Sequence, residues 1–372
     1  MHIGLNAHLL ASAQDFRRAG IHHYIYNLIA HLPQAAPDLR ATIFVGEGEL
    51  PSTPYAVRRS RFKTHSPLRR ILWEQLWQPF QLRGLDLMHE LAFVAPLLMP
   101  RPFVVTVYDL SFMRYPERLP AARRLYLRAM TAVSCRRARR VIAISRSTAA
   151  DLSRLLKVPP EKIDLAVPGV QARFRKLPRA QVEAFRAAKG LPERFFFYLG
   201  TLEPRKNLPV LLRAYATLPE ADRRAVPLIL GGGAGWMTAE VPRLIDQLGL
   251  AQTVHRVGYL PDAELVYWYN CAETFVYPSI FEGWGLPVVE AMACGLPPLV
   301  SNVSALPEAV GEVGMQLPPQ DEQAWRAALE RAMHDSAWRA EQSLRAQVRA
   351  CQFTWLQTAQ ATQETYRKAL EN

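Results

Sequence analysis

The chain has 372 residues, 49% of them hydrophobic and 21% charged, which excludes disorder and a single small module and predicts two domains. Lysine plus arginine exceeds aspartate plus glutamate by 45 − 33 = 12, a balance that favours phosphate-bearing substrates, anionic membrane surfaces or polyanions. Nucleic acid is set aside as a partner, because there is no zinc-finger spacing, no aromatic RNP-type pattern and no basic heptad helix.

In chain order, His2–Asn6 predicts a first strand, followed by a loop with Gly20 and a helix through Tyr24, Leu28 and Leu32. Residues 41–45 predict a second strand, and Phe103–Val107 and 141–145 later ones rich in β-branched side chains. Between them, 69–80 reads as a helix with aromatic residues at i, i+4, either packed against another element or forming a rim for a lipid-linked acceptor or bilayer. The basic run 136–140 reads as a solvated face or an anion-facing surface. From 168 to 192 the alternation lapses into a linker with one helix. It resumes at 195–199, 227–230, 254–257, 274–277 and 298–300, and a last helix covers about 355–370. Apolar strands separated by helices predict parallel sheets covered on both faces, so the fold class is α/β with two doubly wound domains. The boundaries fall at 1–170, a linker region 171–194, 195–352, and a helix 353–372 free to pack back on the N-terminal domain.

No apolar run reaches the ~18 residues of a membrane-spanning helix, and the opening Met1-His2-Ile3-Gly4-Leu5-Asn6 turns polar too soon for a secretion signal. Cys135, Cys271, Cys294 and Cys351 form no closely spaced pair, so they read as buried reduced thiols without a zinc site. The expected compartment is the cytoplasm, with association at the inner face of the membrane as an option.

Chemistry concentrates in two segments. In 277–292 a strand ends near Tyr277, Gly283 and Gly285 make a pliable loop, Pro287 enters a first helical turn, and Gly295 suits the helix end. Such a strand–loop–helix presents amide donors and a positive dipole end to an anion. Glu282 and Glu290 flank it, suited to accept hydrogen bonds from sugar or ribose hydroxyls. In 199–209, Arg205 and Lys206 precede a helix for which Asn207 is the expected N-cap. Two cations beside a helix N-terminus make sense where an anion comes to lie. The glycines 231–235 lack the spacing of a dinucleotide fingerprint, since Trp236 and Thr238 stand where glycine is needed, and read as a loop.

Glu282 and Glu290, with seven residues between them, resemble the EX7E motif of the retaining glycosyltransferases of family 4. The likeness continues through Gly285-Leu286-Pro287, Glu290-Ala291, 293–295, 301–308, Gly200 to Leu208, Gly20-Ile21, Trp73-Glu74-Gln75 and Asp109-Leu110-Ser111-Phe112. It implies the GT-B fold, two Rossmann-like domains facing a central cleft, the first binding acceptor and the second a nucleotide-diphosphate sugar. By this resemblance Arg205 and Lys206 neutralise the diphosphate, Glu290 binds ribose, and Glu282 lies near the donor sugar. The backbone of Gly285, Leu286 and Pro287 meets sugar or phosphate, Gly20 approaches the β-phosphate where a side chain would obstruct, and Tyr259 lies by the base. Tyr108, Asp109 and His89 are expected at the acceptor or sugar, His89 having simple packing as its alternative. The chain departs from the family in Tyr108 for the usual histidine, Thr201 for a frequent arginine, and His22-His23 for glycine-arginine.

The implied reaction is metal-independent retaining transfer of a hexose, with mannose from GDP-mannose favoured, to a saccharide or lipid-linked acceptor in cell-surface polysaccharide synthesis. No cofactor is implied, because the nucleotide sugar is a substrate. The competing readings are an epimerase or phosphorylase of the same fold and an inactive sugar-nucleotide-binding protein.

Overall fold

The structure is a computed structural model that describes residues 1–11, 20–60, 67–115, 121–233 and 240–371. Two compact units divide the chain, Met1–Gly169 with Thr354–Asn372, and Val170–Phe353.

Unit 1 runs β1 (His2–Asn6), α1 (Gly20–Ala35), β2 (Arg40–Val45), β3 (Ala56–Arg59), α2 (Pro67–Leu76), β4 (Leu87–Glu90), β5 (Phe103–Val107), α3 (Ser111–Arg114), α4 (Ala121–Arg137), β6 (Arg140–Ala143), α5 (Arg146–Leu156) and β7 (Ile163–Leu165). Its seven strands lie in the order β3-β2-β1-β4-β5-β6-β7, every pair parallel. All residues of β4 and β5 are buried, as expected for strands covered on both faces. The Ser145 side chain caps α5 by accepting the Thr148 amide at 3.0 Å.

Unit 2 continues with α6 (Arg179–Lys189), β8 (Phe196–Leu199), α7 (Leu208–Ala216), α8 (Glu220–Ala225), β9 (Leu228–Gly231), α9 (Glu240–Gln247), β10 (Val254–Gly258), α10 (Leu265–Cys271), β11 (Thr274–Tyr277), α11 (Leu286–Ala293), β12 (Pro298–Ser301), α12 (Leu306–Val310), β13 (Met315–Leu317), α13 (Glu322–His334) and α14 (Ser336–Ala350). Its sheet, also parallel, has the order β10-β9-β8-β11-β12-β13. Phe197 forms much of the core, stacked on Trp268 and edge-on to Tyr269.

The segment read as a linker is instead part of unit 2. Arg173 bonds the carboxylate and carbonyl of Asp262, Asn270 accepts the Leu177 amide, and Phe185 of α6 stacks on Tyr267 at 5.0 Å. The final helix α15 (Trp355–Glu371) packs against α1 of unit 1. Tyr366 of α15 bonds His89, Thr358 donates to the Val167 carbonyl, and Lys368 pairs with Asp164. Cys135, Cys271 and Cys294 are buried as expected, whereas Cys351 is exposed. Among the described residues no helix is long and apolar enough to cross a membrane.

Gly231 closes β9, and Gly232 lets two strand ends touch rather than lining an open loop. A Cβ on Gly232 would lie 2.1 Å from the Gly200 carbonyl oxygen, and its φ is +129°, a conformation that suits glycine. Gly235, Trp236 and Thr238 lie outside the described residues. Gly232→Ala should therefore lower the unfolding midpoint of unit 2 by an amount worth more than about 1 kcal/mol; an unchanged urea transition would show that the two strand ends are not so close.

Candidate active site

The sheet of unit 2 reverses direction of growth between β8 and β11, and the loops leaving these neighbouring strands must diverge. Ligands of doubly wound domains bind at this switch point, beyond the carboxyl ends of the strands. The sequence places its charges there. β8 leads to a short 3₁₀ turn, Pro204–Lys206, and β11 to the loop entering α11. The two loops are tied by the Ile280 amide, which donates to the Arg205 carbonyl at 3.0 Å.

Lys206 is buried, and its Nζ lies 2.7 Å from Glu282 Oε1 and 2.6 Å from the Tyr277 hydroxyl. Arg205 reaches the other Glu282 oxygen at 2.8 Å, bonds Glu203 Oε1 at 2.7 Å, and donates to the Phe281 carbonyl at 2.6 Å. Burial opposes charge on Glu282, yet Arg205 and Lys206 outweigh it and hold its carboxyl at about 2. Burial also pulls the Lys206 ammonium down, an effect that Glu282 resists. Both oxygens of Glu282 are thus occupied by cations, whereas the sequence suggested a carboxylate open to hydroxyls. The two cations are not bare either; carboxylates hold them in place. Glu282 is fixed in turn by its amide, which donates to Ser304 Oγ at 2.8 Å.

Helix α11 begins after Gly285, whose φ of +101° and close approach to Leu306 require glycine. Leu286 and Pro287 form its first positions, and the amides of Val288 and Val289 both turn back to the Gly285 carbonyl. Glu290 lies in the second turn of α11, in a half-buried position, where its Oε2 accepts the Tyr269 hydroxyl at 3.0 Å. Burial raises its carboxyl to about 8 despite that bond, with Asp262 adding to the rise and Arg173 opposing it. Asn207 precedes α7 without capping it; its amide nitrogen instead donates to the Pro278 and Pro319 carbonyls. Tyr259, just past β10, is exposed.

The first-domain residues fare differently. His89 is wholly buried between Tyr366 and Thr106, and burial takes its imidazole down to about 3. Tyr108 is buried and donates its hydroxyl to the Leu91 carbonyl at 2.7 Å. Neither side chain presents itself to a ligand, because both complete hydrogen bonds inside unit 1. Asp109 accepts the Ser111 amide at the start of α3. Gly20 opens α1, exposed, and a Cβ there would meet nothing within 4 Å.

A second polar cluster lies in unit 1. Asn6 ends β1 and Glu90 ends β4, neighbours at the switch point of unit 1. Asn6 donates to Glu90 at 2.6 Å, and Gln78 donates to its other oxygen at 2.9 Å. Glu74 lies within electrostatic reach, and burial raises Glu74 to about 7 and Glu90 to about 8, so both carboxyls hold a proton readily. A recess of about 60 Å³ opens here, lined in part by Asn6, Arg70, Glu74, Phe93 and Tyr126. Of Asn6, Glu74, Gln78 and Glu90, the sequence singled out Glu74, within Trp73-Glu74-Gln75, and Glu90, which follows His89 at the strand end expected to meet acceptor.

The glycosyl transferases group 1 family matches residues 181–349, and glycosyltransferase family 4 matches residues 4–174. The O-antigen chain mannosyltransferase B of Escherichia coli is 34% identical over 267 residues, covering 71% of this chain and 70% of that one. This chain belongs to the family 4 glycosyltransferases. The serotype-specific mannosyltransferase WbdA of Escherichia coli is 29% identical over 281 residues, so this glycosyltransferase spans 34% of that longer relative. Its fold is GT-B: sucrose-phosphate synthase from Thermosynechococcus elongatus superposes with a TM-score of 0.78 at 23% identity, over 98% of both chains.

The depressed Glu282 carboxyl has a pH consequence. A carboxylate with a folded value near 2 against an ordinary 4.5 contributes on the order of 3 kcal/mol of stability above pH 4.5, lost as pH falls toward 2. Urea unfolding across that window should show the loss in the wild type and a flatter profile in Glu282→Gln; parallel profiles would disprove the ion-pair assignment.

Proposed function

We propose that this glycosyltransferase moves mannose from GDP-mannose to a saccharide or lipid-linked acceptor in cell-surface polysaccharide synthesis, with retention at the anomeric carbon and without a metal ion. The observation that carries this reading is the pair Arg205 and Lys206, held by carboxylates at the switch point of unit 2, beside the start of α11. A leaving nucleoside diphosphate gains negative charge on its β-phosphate as the glycosidic bond breaks. Fixed cations stabilise that charge at little reorganisation cost. Proline at 287 has no amide hydrogen and the next two amides are spent, so a bound phosphate draws on the amides of Gly285 and Leu286.

Glu282 positions the two cations, and Glu290 addresses ribose hydroxyls. Retention follows from front-face displacement. The bond from C1 to the phosphate oxygen breaks as the acceptor oxygen bonds C1 on the same face, and the acceptor's proton passes to the departing phosphate. The mannose preference is supported by the two mannosyltransferase relatives. In unit 1, the recess beside Asn6 and Glu74 offers hydrogen-bonding groups and aromatic faces to acceptor hydroxyls.

Arg205→Gln, assayed below its own unfolding midpoint, should lower kcat by about 100-fold or more, and the mannoside made by the wild type should keep the donor's anomeric configuration by NMR. Transfer at the wild-type rate would reject the site, inversion the mechanism, and phosphorolysis of donor in place of transfer the reaction class. Glu290 holds its proton up to about 8, and the ionised carboxylate accepts from ribose hydroxyls more strongly than the acid does, so affinity for GDP should rise with pH toward 8 and level above it. Glu290→Gln should abolish that slope; a slope that persists would place the titrating group elsewhere.

A further inference from the structure

We propose that Phe353 is a positioning residue for the sugar donor: backed by Arg349, it holds Trp284, and through Trp284 the loop that carries Glu282 and opens α11. This role rests on the donor reading of unit 2 and adds to it a residue outside both charged loops. The loop reads Glu282-Gly283-Trp284-Gly285. Glycine on each side of Trp284 gives the backbone little conformation of its own, so its shape depends on what its side chains meet. Glu282 meets Arg205 and Lys206. The other handle is Trp284, which is 3% exposed. Its indole N–H finds no acceptor among the described residues, so packing sets where the ring lies. That ring meets Phe353 edge-on, with centroids 5.0 Å apart and planes at 82°, a favoured aromatic geometry.

Phe353 is itself fixed on several sides. Its amide donates to the Ala350 carbonyl and its carbonyl accepts the Val170 amide, each at 3.0 Å. The Arg349 guanidinium covers its ring, 4.8 Å from the centroid, as a cation over an aromatic face. Arg349 donates in turn to the carbonyls of Glu308 and Ala309 in the last turn of α12, where a cation suits a helix end. The residues that lead into α12 grip the donor loop from its other side. Ser304 Oγ accepts the Glu282 amide, the Ala305 amide donates to the Glu282 carbonyl at 3.4 Å, and Leu306 closes on Gly285. Ser304 does this with a φ of +54°, a left-handed backbone that a non-glycine residue keeps only where its surroundings enforce it. The contacts thus run in a closed circuit from the loop through Trp284, Phe353, Arg349 and α12 back to the loop. Close packing passes the displacement of one member to the next. A shift of Trp284 therefore reaches Glu282, and with it the two cations.

Two variants separate the ring from its bulk: Phe353→Leu keeps apolar volume without the ring, and Phe353→Tyr keeps the ring. Hydrogen exchange is measured first, without ligand. In Phe353→Leu the amides of 280–289 should exchange about fivefold faster or more, with Phe353→Tyr at the wild-type rate and β8 and β11 unchanged in both. GDP and UDP are then titrated by calorimetry, so that the choice of base does not decide the outcome. The Kd of the nucleotide that the wild type binds should rise about fivefold or more in Phe353→Leu and stay at the wild-type value in Phe353→Tyr. Equal exchange in all three proteins would overturn the proposal. So would faster exchange that extends to β8 and β11, because the ring would then serve only the fold, and so would a loosened loop with an unchanged Kd. A wild type that binds neither nucleotide would reject the donor reading, and this role with it, whatever the loop does.

Discussion

The constraint on which unit 2 depends is the placement of a lysine ammonium where water is nearly excluded. A buried ammonium is costly unless a charge partner and hydrogen bonds meet it. Lys206 has both in Glu282 and Tyr277, and this demand fixes how the β8 and β11 loops approach each other. Arg205 closes the arrangement from the other side of Glu282. The result is a rigid pair of cations at the one position where a doubly wound sheet leaves room for a ligand. An anion arriving there meets charge already in place.

Both units use the same topology and treat their switch points in opposite ways. In unit 2 the carboxylate between β8 and β11 is surrounded by cations and kept ionised. In unit 1 the carboxyl at the end of β4 is surrounded by amide side chains and a second carboxyl, and burial keeps it protonated near neutrality. The first environment suits charge stabilisation and the second suits hydrogen bonding to uncharged hydroxyls. That contrast follows from neighbours, since glutamate is the residue in each case.

How much of this was legible in the sequence depended on how local its physics is. The central strands β5 and β8 announced themselves, because β5 is rich in β-branched residues and β8 is an apolar run. The edge strands β3, β7 and β13 did not: β3 is Ala-Val-Arg-Arg and entirely exposed, and the other two have three residues each. That Arg205 and Lys206 follow one apolar strand and Glu282 another was legible, because each strand ends in a short charged loop before a helix. What Glu282 does there was not, since its partners lie 76 and 77 residues away in the chain. The same holds for His89, whose partner Tyr366 is 277 residues distant, and for Glu90, whose partner Asn6 is 84 residues distant. Side-chain burial of this kind is set by tertiary packing, which spacing along the chain does not record.

The ion pair at the centre of this account is measured most directly by a double-mutant cycle with Lys206→Met, Glu282→Gln and the combined variant, read as unfolding free energy at neutral pH. A buried, hydrogen-bonded pair predicts a coupling energy of about 2 kcal/mol or more, with the combined variant destabilised by less than the sum of the two single effects. A coupling energy near zero would contradict it, because Lys206 and Glu282 would then stand in the structure without holding each other.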